Sequence, residues 1–443
     1  MRSADQEPGG GAGPPGTVQL VYGEEADEAQ IEGDVPYAPG SARAALAHRS
    51  FRYVWAGALA SNVGTWMQNV ALGVLAYQLS HSAGYVAILG FAQLGPLLVL
   101  AMVGGALADV VNRKVLLVAC QAEQLVFSLL LAWAAHAHHP SKTLIFWCVL
   151  AIGIGNALNA PTFSAILPLL VGRRDLAGAV SLQSVQVNVS RVVGPAIGGL
   201  VLPTIAASGV FVVNAATYLF AIGTLATVTL PRPDRSTGES GLRRLAGGLA
   251  VARRDPLVRQ CLMTIFTMSL FCLPFIGLMP VLAARDLHIS PDGAGYGGLY
   301  ALFGVGAAVG AVSVGTFLLG VPRPRVVRLG LVGFALSLAA FGLLRSAIPA
   351  YPVALLVGFT YFATVTALST TLQEHISDNV RGRVMALWIM AFGGTIPLGL
   401  LAGGAVATRT SIGTVVTGGA VIAAVLAAVT RLGPRPGRRS RQR

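Results

Sequence analysis

Charge is what this chain has least of. Asp, Glu, Lys and Arg make up 11% of its 443 residues, against roughly 25% in an ordinary soluble domain. Acids are scarcer than bases, 18 against 31, and lysine is almost missing, with only Lys114 and Lys142. The four cysteines (Cys120, Cys148, Cys261, Cys272) are isolated and lie in apolar runs. That excludes a disulfide framework and metal-ligand spacing and leaves small packing residues. No Gly-x4-Gly-Lys-Ser/Thr loop occurs, so the chain has no P-loop ATPase of its own; His-Glu-x-x-His and Gly-x-Ser-x-Gly are missing too. No cleavable signal peptide is visible, because the first 35 residues are acidic, Gly/Pro-rich and without an apolar run.

What fills the chain instead is long apolar runs. A stretch of about 18 or more uncharged apolar residues reads as a membrane-spanning helix. Twelve follow one another, at 51–79, 83–107, 114–135, 143–170, 177–203, 208–230, 257–284, 293–320, 326–347, 350–373, 381–407 and 411–431. Of the basic residues only Lys142, Arg285, Arg345 and Arg409 fall on the loops after odd-numbered spans, and Arg191 lies within span 5. The rest crowd the termini and the even loops, which the positive-inside rule places in the cytoplasm. The expectation is a multi-pass protein of the plasma (cytoplasmic) membrane with both termini cytoplasmic. Its net charge of +13 then serves lipid head groups and not nucleic acid.

The runs divide six and six. Residues 1–50 form an acidic cytoplasmic tail of disordered composition, 51–230 the first bundle, 231–256 a linker, 257–431 the second bundle and 432–443 a basic tail. In the linker, Leu242, Leu245, Leu249 and Ala252 recur at helical spacing beside Arg243, Arg244, Arg253 and Arg254. Such a helix lies on the anionic inner leaflet or is a solvated connector, and the sequence leaves both open. Val180-Ser181-Leu182 precedes Gly198-Gly199 by the same interval as Met385-Ala386-Leu387 precedes Gly403-Gly404. This aligns span 5 with span 11, as parallel repeats of an alternating-access carrier require.

The loop after span 2 reads Gly105-Ala-Leu-Ala-Asp109-Val-Val-Asn112-Arg113-Lys114. It resembles the Gly-x-x-x-Asp-x-x-Gly-Arg-Lys signature of the major facilitator superfamily, with Asn112 for the second Gly. Asn tolerates left-handed backbone angles, so that change is expected to keep the turn. Ser181, Ser190, Gly194-Pro195 and Gly198-Gly199 stand at the spacing of the superfamily's antiporter motif, Gly-x8-Gly-x3-Gly-Pro-x2-Gly-Gly, with Ser for two of its glycines. Gly-Pro within a helix frees a carbonyl and allows a bend, and paired glycines allow tight packing. Asn159-Ala-Pro-Thr-Phe163 and Arg381-Gly-Arg-Val-Met-Ala-Leu-Trp388 add to a likeness to the drug/proton antiporter branch, which contains macrolide efflux pumps and enterobactin exporters.

The resemblance, over about residues 50–430, implies an all-α membrane protein of two pseudo-symmetric six-helix bundles. It implies a monomer exporting an amphiphilic small molecule, a drug or siderophore, against protons. It further implies a latch in which Gly105, Asp109, Arg113 and Lys114 close against the start of span 11 near Arg381. The branch's usual Arg in span 4 is absent here; Asn156 and Asn159 stand there instead.

An ionisable side chain inside hydrocarbon marks a functional site by default. Glu123 lies about 13–14 Å into span 3 and Arg191 about 21 Å into span 5, at 1.5 Å per residue. Both are candidates for proton coupling, either as a pair or apart; the opposing readings are a static ion pair and, for Arg191, a substrate-anion or carbonyl ligand. Asn62, Thr65, Trp66 and Asn69 share one face of span 1, and Asn156 and Asn159 one face of span 4. With Asn188, Tyr300 and Tyr361 they are candidates to line a substrate cavity, or else bond between helices. His136, His138 and His139 crowd one loop and read as solvated; no metal or cofactor is expected. An importer on the same fold and a non-transporting sensor remain as alternatives, and an enzyme is not expected.

Overall fold

A computed structural model describes residues 37–100, 111–229, 241–290, 293–430 and 432. These residues are almost entirely helical, as membrane-buried backbone must be when no water is present to satisfy its N–H and C=O groups. Among the described residues, nine helical runs are long and apolar enough to cross a bilayer. The longest, 142–226, is broken by Gly172 (φ 69°) and Ala206 (φ 56°) and holds spans 4, 5 and 6. Arg49–Ser80 is span 1; it falls outside the nine because Asn62, Gln68 and Asn69 dilute its apolar character. Its 32 residues still reach about 48 Å. The architecture is that of twelve passes in two bundles.

Local chemistry sets most boundaries. Ser82, Ser141 and Ser411 cap spans 2, 4 and 12 through their hydroxyls. Asn112 accepts from the N–H groups of Lys114 and Val115 and caps span 3, Arg113–His136. Its φ of −57° corrects the expectation of a left-handed turn: Asn serves here as a capping acceptor. Gly105 and Asp109 lie outside the described residues, as do the acidic segment 1–36 and the tail 433–443. The linker helix, Gly241–Arg254, follows neither expected alternative alone. It packs on the opening helix of span 11, where Gly248 abuts the carbonyl of Arg383.

Spans 7 and 11 are not continuous α-helices. Each carries a π-helical turn at mid-length, Met268–Cys272 and Met390–Gly394, followed by a proline that opens the next helical segment, Pro274 and Pro397. A missing N–H and an extra residue in the turn relax the helix there. By contrast, helical geometry runs through Pro195, where a bend was expected, and the chain leaves helical angles only at Ala206, in the turn between spans 5 and 6.

The two halves meet from the ends away from the termini down to mid-depth. Gly199 of span 5 and Gly297 of span 8 (Ala294–Gly315) approach backbone to backbone, leaving no room for a Cβ on either. Gly404 of span 11 does the same against Ala83 and Ala87 of span 2. Their neighbours face inward: Gly198 packs on Met67 of span 1 and Gly403 on Pro274 of span 7. The duplicated glycine pair therefore does one job twice, one glycine binding its own half and the other crossing to the partner half. At mid-depth Gly304 touches the Arg191 carbonyl, and Gly393 and Gly394 touch Leu97 and Leu98.

At the terminal end each half is tied by a His–Asp pair with the residues exchanged. His48, before span 1, meets Asp175, before span 5, at 3.0 Å. Asp255, before span 7, meets His375, at the end of span 10, at 2.7 Å. The Gly40 N–H and then His48 hold the Asp175 carboxyl below its ordinary 3.8. At Asp255 burial pushes upward, but His375 and the N–H groups of Val258 and Leu257 outweigh it and lower the value. Carboxyls depressed in this way contribute stability above the unfolded-state value and lose it as pH falls through the folded one. Unfolding temperature in detergent should thus be flat from neutral pH to about pH 4 and drop below. Asp175→Ala and Asp255→Ala should cost about 1 kcal/mol each at pH 7, and Asp255→Asn less, because Asn still caps. The glycine crossing makes a separate prediction. Gly199→Val should separate the halves at the far end, read as a longer spin-label distance between spans 5 and 8. An unchanged distance would show that this contact does not hold the observed conformation.

Candidate functional site

The side chains singled out in the sequence fall into two places. The first is the apex where the halves join. Arg191 projects from span 5 between two rings, 5.8 Å from the Trp66 centroid on span 1 and 5.6 Å from that of Phe362 on span 10. Rings at this distance attract a cation through their quadrupoles, by up to about 2 kcal/mol when desolvated. The carbonyl that Pro195 leaves without its helical donor is that of Arg191 itself, against Gly304 of the other half. Nearby on span 1, Asn69 accepts a hydrogen bond from Gln93 of span 2. Tyr300 donates to the Ile276 carbonyl at 3.3 Å. Tyr361 is buried against Phe334, and the Ser190 hydroxyl has no partner among the described residues.

The second place lies wholly inside the first bundle. A cavity of about 100 Å³ lies among spans 1, 3, 4, 5 and 6. Asn62 and Thr65 line it from span 1, Gln121 and Gln124 from span 3, and Asn156 and Asn159 from span 4. Gln186 completes it from span 5 and Thr224 from span 6. Around it runs a layer of buried polar groups. Gln68 accepts from Ser128 at 3.0 Å and from Asn214 at 2.8 Å. Thr65 and Tyr218 share a bond of 3.0 Å, and Ser61 donates to Gln121 at 3.3 Å. This layer separates a small apolar cluster near the termini, around Phe51, Leu117, Phe163 and Ile166, from the main core.

Glu123 belongs to this second place. Its Oε2 lies against the Cβ-less face of Gly155 on span 4 and has no hydrogen-bond partner among the described residues. Gly155 is thus the signal that admits a carboxyl between spans 3 and 4. Among the described residues Glu123 and Arg191 form no ion pair: one faces the interior of its bundle, the other the junction of the two halves. The stripe on span 1 is shared likewise, with Asn62 and Thr65 toward the inner cavity and Trp66 and Asn69 toward the junction. Asn188 donates to the Ser184 carbonyl of its own helix at 2.8 Å. Gln68, Gln186, Asn214 and Tyr218 were not singled out from sequence; glutamines and asparagines at helical spacing in apolar spans were the signal available.

The antiporter-motif residues are packing elements in this structure. Gly194 sits under Trp66 and Val63, Gly198 under Met67, and Gly199 against Gly297, while Ser181 is exposed at the terminal end of span 5. Of the signature loop, Arg113 donates to the Ala165 carbonyl at 3.3 Å, and Lys114 to the carbonyls of Ala226 and Val228 at 3.1 and 2.6 Å. Both tie the start of span 3 to neighbouring spans. The four cysteines are buried and free, and no group of metal-ligating residues occurs among the described residues.

Two six-helix bundles, joined by small-residue crossings with a half-buried cation at mid-depth, define a carrier of the major facilitator fold. The chain belongs to the transmembrane secretion effector family, whose model matches residues 40–437. It is 28% identical to the enterobactin exporter EntS of Escherichia coli O1:K1 over 344 residues, 77% of this chain and 81% of that one. The same exporter from Shigella boydii serotype 18 matches to the same extent. Among solved structures, the nucleoside transporter NupG superposes with a TM-score of 0.70 at 12% identity, covering 86% of this chain and 98% of that one. An inward-facing bacterial homolog of the lysosomal transporter Spinster gives 0.66 at 16% identity, over 86% and 96%. The chain is therefore a multi-pass membrane transporter, not an enzyme.

Proposed function

We propose that this transporter exports an anionic, aromatic amphiphile of the siderophore kind, taking it from the cytoplasm at the apex between the halves and exchanging it for protons. The observation that carries this reading is Arg191, a guanidinium at mid-depth between Trp66 and Phe362 with no acidic partner among the described residues. A cation at mid-depth in the membrane without a counter-charge is costly, and an anionic substrate supplies that charge on arrival. The flanking rings offer faces to an aromatic group. Similarity to exporters of enterobactin supports the same substrate class, and the family's secretion character supports export over import.

On this reading both termini are cytoplasmic, as the arginine distribution requires. The far-end contacts then close the outer side, and substrate enters from the cytoplasm. The working unit is a monomer in contact with anionic lipid. The division at 51–230 and 257–431 supplies the two rocking bodies, and the π-turns in spans 7 and 11 supply points where the second body bends. Glu123 carries the exchanged proton and Arg191 binds the substrate, so coupling passes through the helices between them. Asp109, with Gly105, Arg113 and Lys114, latches the terminal end against the start of span 11 near Arg381 when the carrier opens outward.

Efflux is measured as uptake into inverted vesicles under an imposed proton gradient, with a catecholate siderophore and a cationic macrolide in parallel. Arg191→Ala should lower siderophore transport by about 10- to 100-fold, the value of one charge-assisted contact; Arg191→Lys should restore part of it. Preference for the macrolide, or full activity in Arg191→Ala, overturns the anion assignment. Asp109→Asn should reduce turnover of either substrate several-fold while leaving substrate affinity in the resting state unchanged; normal turnover at normal expression removes the latch.

A further inference from the structure

The cavity inside the first bundle is not the place where the halves meet, and nothing assigned so far uses it. Its polar lining is entirely uncharged, so it is unsuited to hold the substrate anion and well suited to hold water. Two oxygens on its lining residues, Oδ1 of Asn159 and Oε1 of Gln186, are buried without a partner, and Gln186 is only 2% exposed. A third oxygen without a partner among the described residues, Glu123 Oε2, lies against Gly155 and next to the lining residue Gln124. Buried polar groups are rarely left unmade, because each costs about 1–3 kcal/mol. Two on the cavity wall and a third behind the lining residue Gln124 point to a shared ligand. About 100 Å³ accommodates roughly three waters at ~30 Å³ each, and each water finds the two to four polar partners it needs. An amide presents either its oxygen or its N–H groups to such a water.

The cavity also has a direction. Val54, Leu117, Gln183 and Leu225 line it near the ends of spans 1, 3, 5 and 6 that lie on the side of the termini. Asn62, Thr65 and Asn156 carry it toward mid-depth. Arg191 is outside it, turned by one helical position on span 1 from Thr65 to Trp66.

We propose that this cavity is a water-filled proton-binding site, separate from the substrate site, through which Glu123 exchanges its proton with the side of the termini. The inference rests on Glu123 as the proton carrier in the reading above. The step is a simple transfer: a hydrated proton gives H⁺ to the Glu123 carboxylate, forming the O–H on Oε2 and leaving neutral water, and the reverse step returns it. Protonated, Oε2 becomes a donor and no longer needs one. Substrate and proton then occupy different sites on opposite faces of span 1, so their exchange is coupled by helix movement and not by competition for one residue.

The test uses the full-length protein in lipid nanodiscs, with infrared difference spectra following the carboxylic-acid C=O band during a pH step. Glu123→Gln should abolish that band. Gln186→Met and Asn159→Leu, made separately so that one misfolded variant does not end the test, should slow its appearance by about tenfold, as loss of one hydrogen bond on the route implies. Arg191→Ala should leave both band and rate unchanged. Wild-type rates in both cavity variants would overturn the proton route, and so would a Glu123 band absent throughout the pH range. An equal slowing in Arg191→Ala would show one continuous site. A band that responds to sodium replacing choline would assign the cavity to a metal cation. Vesicle transport of the siderophore by Arg191→Ala tests the substrate reading independently, so the failure of one is distinguishable from that of the other.

Discussion

Backbone contact at two glycine crossings is the constraint on which this molecule depends. In hydrocarbon there is no hydrophobic drive to press helices together, so association rests on close van der Waals packing and on small residues that allow it. Gly199 against Gly297, and Gly404 against Ala83 and Ala87, bring spans of opposite halves together. Within span 8, Gly306 and Gly310 lie against the carbonyls of Leu355 and Phe359, and the same device builds the second bundle internally. Each crossing is geometric and carries no charge or hydrogen bond, which lets it open and close at small cost. A carrier needs that property.

The halves resemble each other in outline and differ in their interiors. The second bundle has a continuous apolar core, with Phe275 edge-on to Phe303 and Phe341. The first is cut across by amides and hydroxyls. Interhelical hydrogen bonds in membranes average only about 0.6 kcal/mol, so stability does not explain such a layer. The proposed proton-binding site beside Glu123 accounts for it. The Arg191 guanidinium is treated differently: flanking rings, not hydrogen-bonding amides, offset part of its burial. A cation met by ring faces keeps its donors for an incoming anion, whereas one met by a carboxylate does not.

The exchanged His–Asp pairs show how duplication is conserved in physics more than in residue identity. One half holds the carboxylate before its fifth span and the other before its first, yet both tie the same two points. Alignment of the halves by identity does not expose this, because acid and imidazole trade ends and stand a few positions off the register of the glycine pairs.

Transmembrane architecture was decided locally by the sequence, since twenty apolar residues in a bilayer have only the helix available. Span limits, the six-and-six division and the side on which arginine accumulates follow from composition alone. The helix caps at Ser82, Ser141 and Ser411 depend on neighbours in the chain and are equally local. Which face of each helix meets which neighbour is a different matter, because it depends on residues hundreds of positions apart. Glu123 and Arg191 are close in depth yet serve separate compartments; only the packing of span 4 at Gly155 and of span 10 at Phe362 determines that. The span 1 stripe reads as one surface in sequence, and its residues part company because Thr65 finds Tyr218 while Trp66 finds Arg191. The π-turns of spans 7 and 11 stand just before Pro274 and Pro397, a local cause that the apolar composition of a span does not display.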